Sequence, residues 1–361
     1  MIVLGLMSGT SMDGLDCCLS KVEIENFKLR FKIIDSSTIA YKNETKKIIY
    51  DSVFNKKYSY EFIEKYLGNI YVDIIDKFLR NRKVDFISNH GQTISHLDKK
   101  YSIQVCSPKI IYNKFRVPII YNFRNKDIEN GGNGAPLMPI LDWYLFKNQE
   151  VITINIGGIS NITVISKDIN MNSIIGFDTG PGMCLNDLYV KKTWNIKYDN
   201  KGKLASKGFV NEVLLNHLMN DSFINKDNPK SASTEMFGLD YLSNLEKKFT
   251  NIKRYDFLRT LVNFTSKSII KNINRVVPSK FLEKKKIILS GGGVKNKVLF
   301  DDINKGLNNK IVLMNYEGIN IDNKESFLMC LLGYTRFFNI ENNIPSVTGA
   351  VNKVVCGEIY E

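Results

Sequence analysis

A loop of small and hydroxylated residues between two apolar runs constrains the fold of this chain more than any other feature. Residues 2–6 and 15–19 are the apolar runs, and residues 7–14 between them read Met-Ser-Gly-Thr-Ser-Met-Asp-Gly. Glycine lets the backbone take positive φ and approach a ligand closely, while hydroxyl groups add donors beside the exposed amides. The pattern therefore predicts two strands joined by a loop that can surround a phosphate.

The same design returns near the start of the second half of the chain. Residues 151–165 form two β-rich runs around a Gly-Gly pair, which predicts a hairpin. A third glycine-rich stretch, residues 290–293, follows the apolar run 286–289. Two phosphate-type hairpins, one in each half, predict a duplicated fold that closes on one ATP. The residues expected to bind ATP are Gly9, Thr10, Ser11, Met12, Asp13, Gly14, Leu15, Asp16, Gly157, Gly158, Gly291, Gly292 and Gly293.

The composition is typical of a soluble protein, and the 361 residues are enough for two packed domains. No window approaches 18 uninterrupted apolar residues, and no signal-peptide pattern precedes the first strand, so export and membrane spanning are not expected. The six cysteines include no C-x-x-C pair, which favours reduced thiols in a cytosolic enzyme. The formal net charge is +13, but the lysines are scattered, so a solvated basic surface is favoured over a nucleic-acid groove.

Patterns along the chain indicate how its elements are arranged. Residues 60–80 show apolar residues at helical spacing, and residues 84–88 predict a buried strand ending in a polar loop, residues 89–93. Glycine, asparagine and proline are dense in residues 122–139, which suits a crossing between domains. Helices are expected to dominate residues 211–277. We expect domain I to comprise residues 1–130 plus 342–361, and domain II residues 131–341.

The chain lacks the two most familiar nucleotide-binding motifs. Neither G-x-x-x-x-G-K-[ST] nor G-x-G-x-x-G occurs, so P-loop and Rossmann folds lose their main support. In the sugar kinase, Hsp70 and actin superfamily, two hairpins hold the phosphates from opposite sides and a late glycine-rich loop lies against the adenosine. The three loops occur here in that order. They predict an α/β fold with two actin-like (ribonuclease H-like) domains around a central nucleotide and sugar cleft.

Further motifs narrow this resemblance to one family. From end to end, the chain resembles the anhydro-N-acetylmuramic acid kinase family of bacterial cell-wall recycling. The motifs that carry the resemblance are residues 5–16, 89–93, 131–137 (Gly-Gly-Asn-Gly-Ala-Pro-Leu), 155–163, 176–182 (Gly-Phe-Asp-Thr-Gly-Pro-Gly), 290–296 and 345–350 (Pro-Ser-Val-Thr-Gly-Ala).

The resemblance implies an unusual kinase reaction. The substrate is a 1,6-anhydro sugar, whose O6 is locked in an ether to C1 and carries no free hydroxyl. Water must therefore attack C1 and open the bridge while O6 takes the γ-phosphoryl group of ATP. ATP with Mg²⁺ is the expected cofactor. The resemblance favours a homodimer, and we expect it in the cytoplasm with no nucleic-acid or membrane partner.

Asp178 is the residue expected to activate the water. It stands at the end of a predicted strand, and the Gly-Pro-Gly of residues 180–182 fixes a tight turn that directs its side chain. A carboxylate base at the anomeric carbon is what an inverting glycosidase uses to activate water. In the family that this chain resembles, the aspartate of this motif is the proposed base. The alternative is an aspartate that caps the following helix or turn.

Other polar residues are assigned to the metal and the sugar. Asp13 and Asp16 are expected to hold Mg²⁺ directly or through water, with a role in the hairpin turn as the alternative. The residues assigned to the sugar site are His90, Gln92, Asn122, Arg124 and Glu325. Arg124 is the candidate partner of the lactyl carboxylate of muramic acid. A structural histidine at position 90 and a solvated helix face at position 325 are the alternatives.

Five positions depart from the family pattern. Met183 follows Gly-Pro-Gly where the family usually has asparagine, and Asn122 stands where an aspartate usually precedes Phe-Arg. Residues 230–235 read Lys-Ser-Ala-Ser-Thr-Glu in place of Lys-Ser-Thr-Gly-Arg-Glu, which loses an arginine at Thr234. These departures bear on the choice of sugar more than on the type of reaction. The alternatives are therefore a kinase for another anhydro sugar, such as levoglucosan, and a nucleotide-binding sensor without turnover.

Overall fold

The computed structural model describes residues 1–9, 12–308 and 311–361. The chain divides into two compact units: unit 1 is Met1–Leu145 with Asn315–Glu361, and unit 2 is Phe146–Met314. Thr10 and Ser11, both predicted to bind ATP, lie outside the described residues. Among the helices of the described ranges, none is long and apolar enough to cross a membrane.

The first stretch of unit 1 alternates strands and helices. Its elements are β1 (Ile2–Ser8), β2 (Gly14–Glu25), β3 (Lys28–Ala40), α1 (Asn43–Val53), α2 (Tyr60–Leu79), β4 (Phe86–Leu97), β5 (Tyr101–Val105), α3 (Pro108–Phe115), β6 (Ile119–Tyr121), α4 (Asn125–Glu129) and α5 (Met138–Phe146). The helix expected at residues 60–80 is confirmed as α2, whose first turn is capped by the Ser59 hydroxyl accepting the Phe62 amide at 3.2 Å.

Unit 2 follows with a second sheet and its helices. Its elements are β7 (Val151–Ile156), β8 (Ile159–Ile165), β9 (Ile175–Pro181), α6 (Cys184–Trp194), α7 (Glu212–Met219), α8 (Ser222–Asn225), α9 (Leu239–Lys248), α10 (Arg254–Val276), α11 (Ser279–Leu282), β10 (Lys286–Ser290), α12 (Lys297–Leu307) and β11 (Ile311–Leu313). The chain then returns to unit 1 with β12 (Asn315–Tyr316), β13 (Ile319–Asn320), α13 (Lys324–Phe337), α14 (Pro345–Thr348) and β14 (Glu358–Tyr360).

The main sheets of the two units share one pattern of strands. In unit 1, β1, β2 and β3 are antiparallel neighbours, and β4 and β6 continue the sheet on the other side of β1 as parallel strands. In unit 2, β7, β8 and β9 are antiparallel neighbours, and β10 and β11 continue beyond β7 in parallel. The predicted fold class, two α/β domains built on a duplicated design, is confirmed.

Each sheet is built around an apolar central strand. Every residue of β7 is buried, and Val3, Leu4 and Leu6 of β1 are fully buried. A strand covered on both faces has to be apolar almost throughout, unlike an edge strand such as β3, where exposed residues recur along the whole length. This explains why the apolar runs at residues 2–6 and 151–156 were clear strand signals.

The limits of the two units differ from the expected domain limits. Unit 1 extends to Leu145 instead of residue 130, and it resumes at Asn315 instead of residue 342. The reason is packing within unit 1, because α13 lies against β1, β2 and β4. Buried Lys324 of α13 also forms an ion pair with buried Asp142 of α5, with 2.6 Å between Nζ and Oδ1.

The motif at residues 89–93 is part of a strand and does not form the expected loop. β4 continues through it to Leu97, and its second half pairs with β5 in antiparallel register. From Gln92 onward, the backbone therefore pairs with a neighbouring strand instead of lying in an open loop. Gly91 takes φ +75°, a conformation in which glycine avoids the strain of a side chain.

Candidate active site

The start of the first loop is fixed by a buried hydrogen-bond network in unit 1. The Ser8 hydroxyl at the end of β1 donates to Oε1 of Gln92 at 2.6 Å, and the Tyr41 hydroxyl donates to the Ser8 oxygen at 2.9 Å. Nε2 of Gln92 donates to the carbonyl of Gly9 at 3.4 Å. Gln92 is fully buried. The side-chain amide of Gln92 therefore holds the start of the loop in place, although the sequence analysis predicted that this residue binds the sugar.

The far end of the loop enters β2 directly. Met12 takes φ +54°, and its amide donates to the Gly9 carbonyl at 3.2 Å. A Cβ on Gly14 would lie 2.7 Å from the carbonyl oxygen of Ile39, so this glycine permits close pairing of β2 with β3. The Leu15 side chain is fully buried in the hydrophobic core. Gly14 and Leu15 thus have structural roles that explain their residue types without a ligand.

Acidic side chains gather beside the first loop. Burial, together with the charges of Glu325, Asp13 and Asp322, raises the pKa of Asp16 to about 6, although a hydrogen bond from Thr38 opposes the shift. The Thr38 hydroxyl donates to Oδ1 of Asp16 at 2.5 Å. Glu325 was predicted to bind the sugar. The structure instead places it near Asp16, a predicted metal ligand, where its charge contributes to the raised pKa. Within the described ranges, no group of three or more His, Cys, Asp or Glu side chains is arranged to hold a metal ion.

His90 and Arg124, both assigned to the sugar, contact each other. Nδ1 of His90 donates to the Gly91 carbonyl at 2.9 Å, so Nε2 is the acceptor, and it receives Nε and Nη2 of Arg124 at 3.1 Å each. Nη1 of Arg124 donates to the Gly134 carbonyl at 2.8 Å. Burial, reinforced by the adjacent guanidinium, lowers the pKa of His90 to about 3. The neutral imidazole therefore holds the guanidinium in one orientation.

Asn122 has a different partner. It takes φ +56°, and its Nδ2 donates to Oε1 of Glu358 on β14 at 2.5 Å. Asparagine tolerates this left-handed conformation better than most residues. Asn122 is thus tied to the neighbouring strand β14.

Asp127 is a site residue that sequence reasoning missed. Its buried carboxylate accepts the Gly134 amide at 2.8 Å, Nδ2 of Asn343 at 2.8 Å and the Thr348 hydroxyl at 2.7 Å. It therefore joins the glycine-rich segment after α4, which contains the Gly134 carbonyl used by Arg124, to the C-terminal part of the chain. Asp127 and Glu129 are the two acids of the Gly- and Asn-rich stretch, and of these Asp127 is buried whereas Glu129 is not.

In unit 2, the second glycine hairpin is held against the corner between β9 and α6. The amides of Gly182 and Met183 donate to the carbonyls of Gly158 and Gly157, both at 2.8 Å, and the Cys184 amide donates to the Gly158 carbonyl at 3.1 Å. A Cβ on Gly182 would lie 2.3 Å from the Gly157 oxygen. The glycine after Pro181 is therefore required for this contact.

Asp178 lies within β9 in unit 2, where its side chain is 5% exposed. Its amide donates to the carbonyl of Lys230 at 3.2 Å, and its Oδ2 accepts the amide of Ala232 at 2.8 Å. Backbone groups of one segment, residues 230–232, thus contact both the main chain and the carboxylate of Asp178. This segment belongs to the motif in which the sequence departs from the family at Thr234.

The third glycine-rich loop packs on the end of β7. Gly291 takes φ +84°, and a Cβ there would lie 2.5 Å from the carbonyl oxygen of Ile156. A Cβ on Gly293 would lie 2.4 Å from Cγ2 of the same residue, whereas a Cβ on Gly292 would meet no atom within 4 Å. The structure therefore brings the third loop to the strand that carries the Gly157-Gly158 hairpin.

Comparisons with known proteins agree with these motifs. A family model described as "Anhydro-N-acetylmuramic acid kinase" matches residues 1–361. A protein of that name from Clostridioides difficile is 34% identical, covering 99% of this chain and 98% of the relative. Another from Francisella tularensis subsp. novicida is 33% identical, covering 98% and 97%.

Similarity to solved structures is much weaker. The match to the Acidaminococcus fermentans (R)-2-hydroxyglutaryl-CoA dehydratase component A covers 92% of this chain and 98% of that protein, at 12% identity and a TM-score of 0.44. The evidence for membership comes instead from the match of the family model over the full length and from relatives above 30% identity. On this evidence the chain belongs to the anhydro-N-acetylmuramic acid kinase family.

Proposed function

We propose that this chain uses ATP to phosphorylate 1,6-anhydro-N-acetylmuramic acid with simultaneous hydrolysis of the anhydro bridge, giving N-acetylmuramic acid 6-phosphate. The observation that carries the proposal is the family match over all 361 residues together with a buried, backbone-anchored Asp178. The reaction would serve cell-wall recycling and amino-sugar catabolism. We expect the enzyme to act in the cytoplasm as a homodimer, as the family resemblance implies.

The proposed chemistry needs one base. A water oxygen forms a bond to C1 as the C1–O6 bond breaks, and O6 takes the γ-phosphoryl group as the bond to ADP breaks. Asp178 accepts the proton of the water. The Ala232 amide, bonded to Oδ2, keeps the carboxylate in one orientation, which a general base requires. No separate acid is needed for O6, because the phosphoryl group takes up its charge.

The His90–Arg124 pair supports muramic acid as the sugar. Arg124 is half-buried, and His90 and Gly134 fix its guanidinium, so it is prepared to bind a carboxylate. Levoglucosan has no lactyl carboxylate for this guanidinium to bind. The pair therefore favours anhydro-N-acetylmuramic acid over levoglucosan.

We propose Asp13 and Asp16 as the residues that hold Mg²⁺. Asp16 is half-buried among other carboxylates, and their mutual repulsion fits a position that a cation occupies. Mg²⁺ commonly takes one or two protein carboxylates together with phosphate oxygens and water, so a larger cluster is not required. When bound, the ion neutralises charge on the phosphates of ATP. Gln92 and Ser8 hold the adjoining loop in place.

Reaction in ¹⁸O-labelled water tests the proposal. Early in the reaction the label should be found at C1 of the sugar product and not in the transferred phosphoryl group, and the initial anomer should be inverted at C1. Anhydro-N-acetylmuramic acid should support ADP formation, whereas levoglucosan should do so poorly. Asp178→Asn should lower sugar-dependent ADP formation by about 10²–10⁴-fold without preventing ATP binding.

Four results would contradict the proposal. Label in the phosphoryl group, or a phosphorylated product that keeps its anhydro ring, would show another reaction. Equal turnover of levoglucosan would remove the role of Arg124. ATP binding without any sugar-dependent ADP formation would indicate the nucleotide-binding sensor instead.

A further inference from the structure

Lys230 is a buried cation that the proposed reaction does not use. The residue is 0% exposed, and its Nζ donates to the carbonyls of Phe223 and Ile224 in α8 at 3.0 and 3.2 Å. The same Nζ lies 4.9 Å from the ring centroid of Phe223 and 5.6 Å from that of Phe177, which immediately precedes Asp178. The ammonium group therefore joins α8 to β9.

The main chain of Lys230 is in direct contact with Asp178. Its carbonyl accepts the Asp178 amide at 3.2 Å, and two residues later the Ala232 amide donates to Oδ2 of Asp178 at 2.8 Å. The side chain of Lys230 thus anchors the segment whose backbone holds the carboxylate. Removing this anchor would allow the Ala232 amide, and with it the carboxylate, to move.

The environment of Lys230 is costly for a cation. Burial, together with Arg275 and Lys226, lowers its pKa to about 8, while Asp178 and Asp227 oppose this shift. An apolar side chain of similar length would avoid the desolvation cost, so burial of a charge is weak evidence for a purely stabilising role. The two charge-assisted hydrogen bonds instead give the segment a defined position.

We propose that Lys230 is a positioning residue for Asp178, because its ammonium fixes residues 230–232 to α8 and those residues orient the Asp178 carboxylate. The inference rests on the proposed function, in which Asp178 is the base. It predicts that loss of the ammonium lowers the rate of the chemical step more than the binding of either substrate.

The first test replaces Lys230 with methionine, which has a similar shape but no charge. Lys230→Met should lower kcat on the order of 10²-fold, with the KM values for ATP and sugar little changed. Lys226→Met is the matched control, because Lys226 is an exposed lysine that directly follows α8. Near-wild-type kcat in folded Lys230→Met would overturn the proposal.

The second test uses the wild-type protein and does not depend on the folding of a variant. As pH rises through about 8, Lys230 loses its proton. The neutral amine keeps two N–H donors but loses the charge that strengthens its hydrogen bonds to Phe223 and Ile224, so kcat should fall while both KM values stay nearly constant. Because this lysine has a lowered pKa in the folded state, its contribution to stability increases between pH 8 and its ordinary value of 10.5. A fall in kcat therefore cannot be attributed to unfolding caused by this group, and a flat kcat across this range would overturn the proposal.

A double-mutant comparison separates this inference from the proposed function. If Lys230 acts through Asp178, adding Lys230→Met to Asp178→Asn should cause no further loss of sugar-dependent ADP formation. Full activity of Asp178→Asn would overturn the assignment of the base, and with it the proposed role of Lys230. An inactive Asp178→Asn beside a fully active, folded Lys230→Met would overturn only the role of Lys230.

Discussion

His90 stays neutral in the folded protein over most of the acidic range. Its side chain is 3% exposed, and burial beside Arg124 lowers its pKa from 6.5 to about 3. The unfolded chain binds a proton at this histidine below pH 6.5, whereas the folded chain does not until about pH 3. Stability is therefore lost as pH falls through this interval, by at most about 1.4 kcal/mol per pH unit from this group.

His90→Gln tests this dependence. Glutamine offers an oxygen that can accept from Arg124 but does not titrate, so the free energy of unfolding should fall less steeply between pH 6.5 and 4 than in the wild type. Urea unfolding at several pH values measures the slope. His217→Gln, at an exposed histidine, is the control for replacing a histidine by glutamine. An unchanged slope in His90→Gln would contradict a neutral buried imidazole.

Asp16 gives the opposite dependence of stability on pH, because its charged form is the deprotonated one. Its pKa is raised to about 6 by burial and by neighbouring carboxylates, so its ionised form destabilises the protein without ligand above that pH. Asp16→Asn should therefore raise Tm at pH 7 in the absence of nucleotide and weaken binding of Mg²⁺ with ATP. Thermal unfolding with and without MgATP measures both effects. Exposed Asp73→Asn should change neither, and a lowered Tm in Asp16→Asn would show that its charge is already compensated.

At the scale of elements, the β9–α6 corner supports the second glycine hairpin. Three successive backbone amides, residues 182–184, donate to the hairpin carbonyls, and Gly182 leaves no room for a side chain. The hairpin is therefore positioned by backbone contacts that only a glycine at this corner permits.

Gly182→Ala should displace the hairpin. The added Cβ would lie 2.3 Å from the Gly157 oxygen, and the required shift should cost about 1–3 kcal/mol of unfolding free energy. Gly157→Ala is the matched control, because a Cβ there would meet its nearest atom at 3.5 Å, an ordinary contact. Urea unfolding of both variants gives the comparison, and equal stability of the two would show that the corner adapts without cost.

At the scale of the whole molecule, contacts between distant parts of the sequence hold unit 1 together. Asp127 accepts hydrogen bonds from Asn343 and Thr348, more than 200 positions away, and α13 packs on β1, β2 and β4. Unit 2 is one continuous stretch of chain, whereas unit 1 is complete only when the C-terminal segment has joined it.

Asp127→Asn should weaken unit 1 selectively. The amide nitrogen would face the Gly134 N–H, leaving a buried donor without an acceptor at a cost of about 1–3 kcal/mol. The two tryptophans of the chain report the units separately, because Trp143 lies in unit 1 and Trp194 in unit 2. In backgrounds carrying Trp194→Phe or Trp143→Phe, Asp127→Asn should shift the fluorescence transition of Trp143 more than that of Trp194. Equal shifts, or a shift seen by Trp194 alone, would contradict this assignment.

The sequence by itself determined the elements, the duplication and the family. Apolar runs marked β1 and β7 because central strands are buried on both faces, and the glycines at residues 291 and 182 marked places where backbones meet closely. These signals are local, since φ preference and hydrophobic spacing depend on a few consecutive residues. The resemblance of the motifs also selected Asp178, whose role stays a prediction.

The tertiary structure alone decided which polar groups meet. The sequence did not show that Gln92 holds the first loop, that Glu325 lies near Asp16, or that residues 230–232 orient Asp178. The limits of the two units also differed from those expected, because α13 packs on the first sheet. A buried polar group needs a hydrogen-bond partner, which any part of the chain can supply. Long-range packing brings that partner near, and a local sequence pattern does not show which residue it will be.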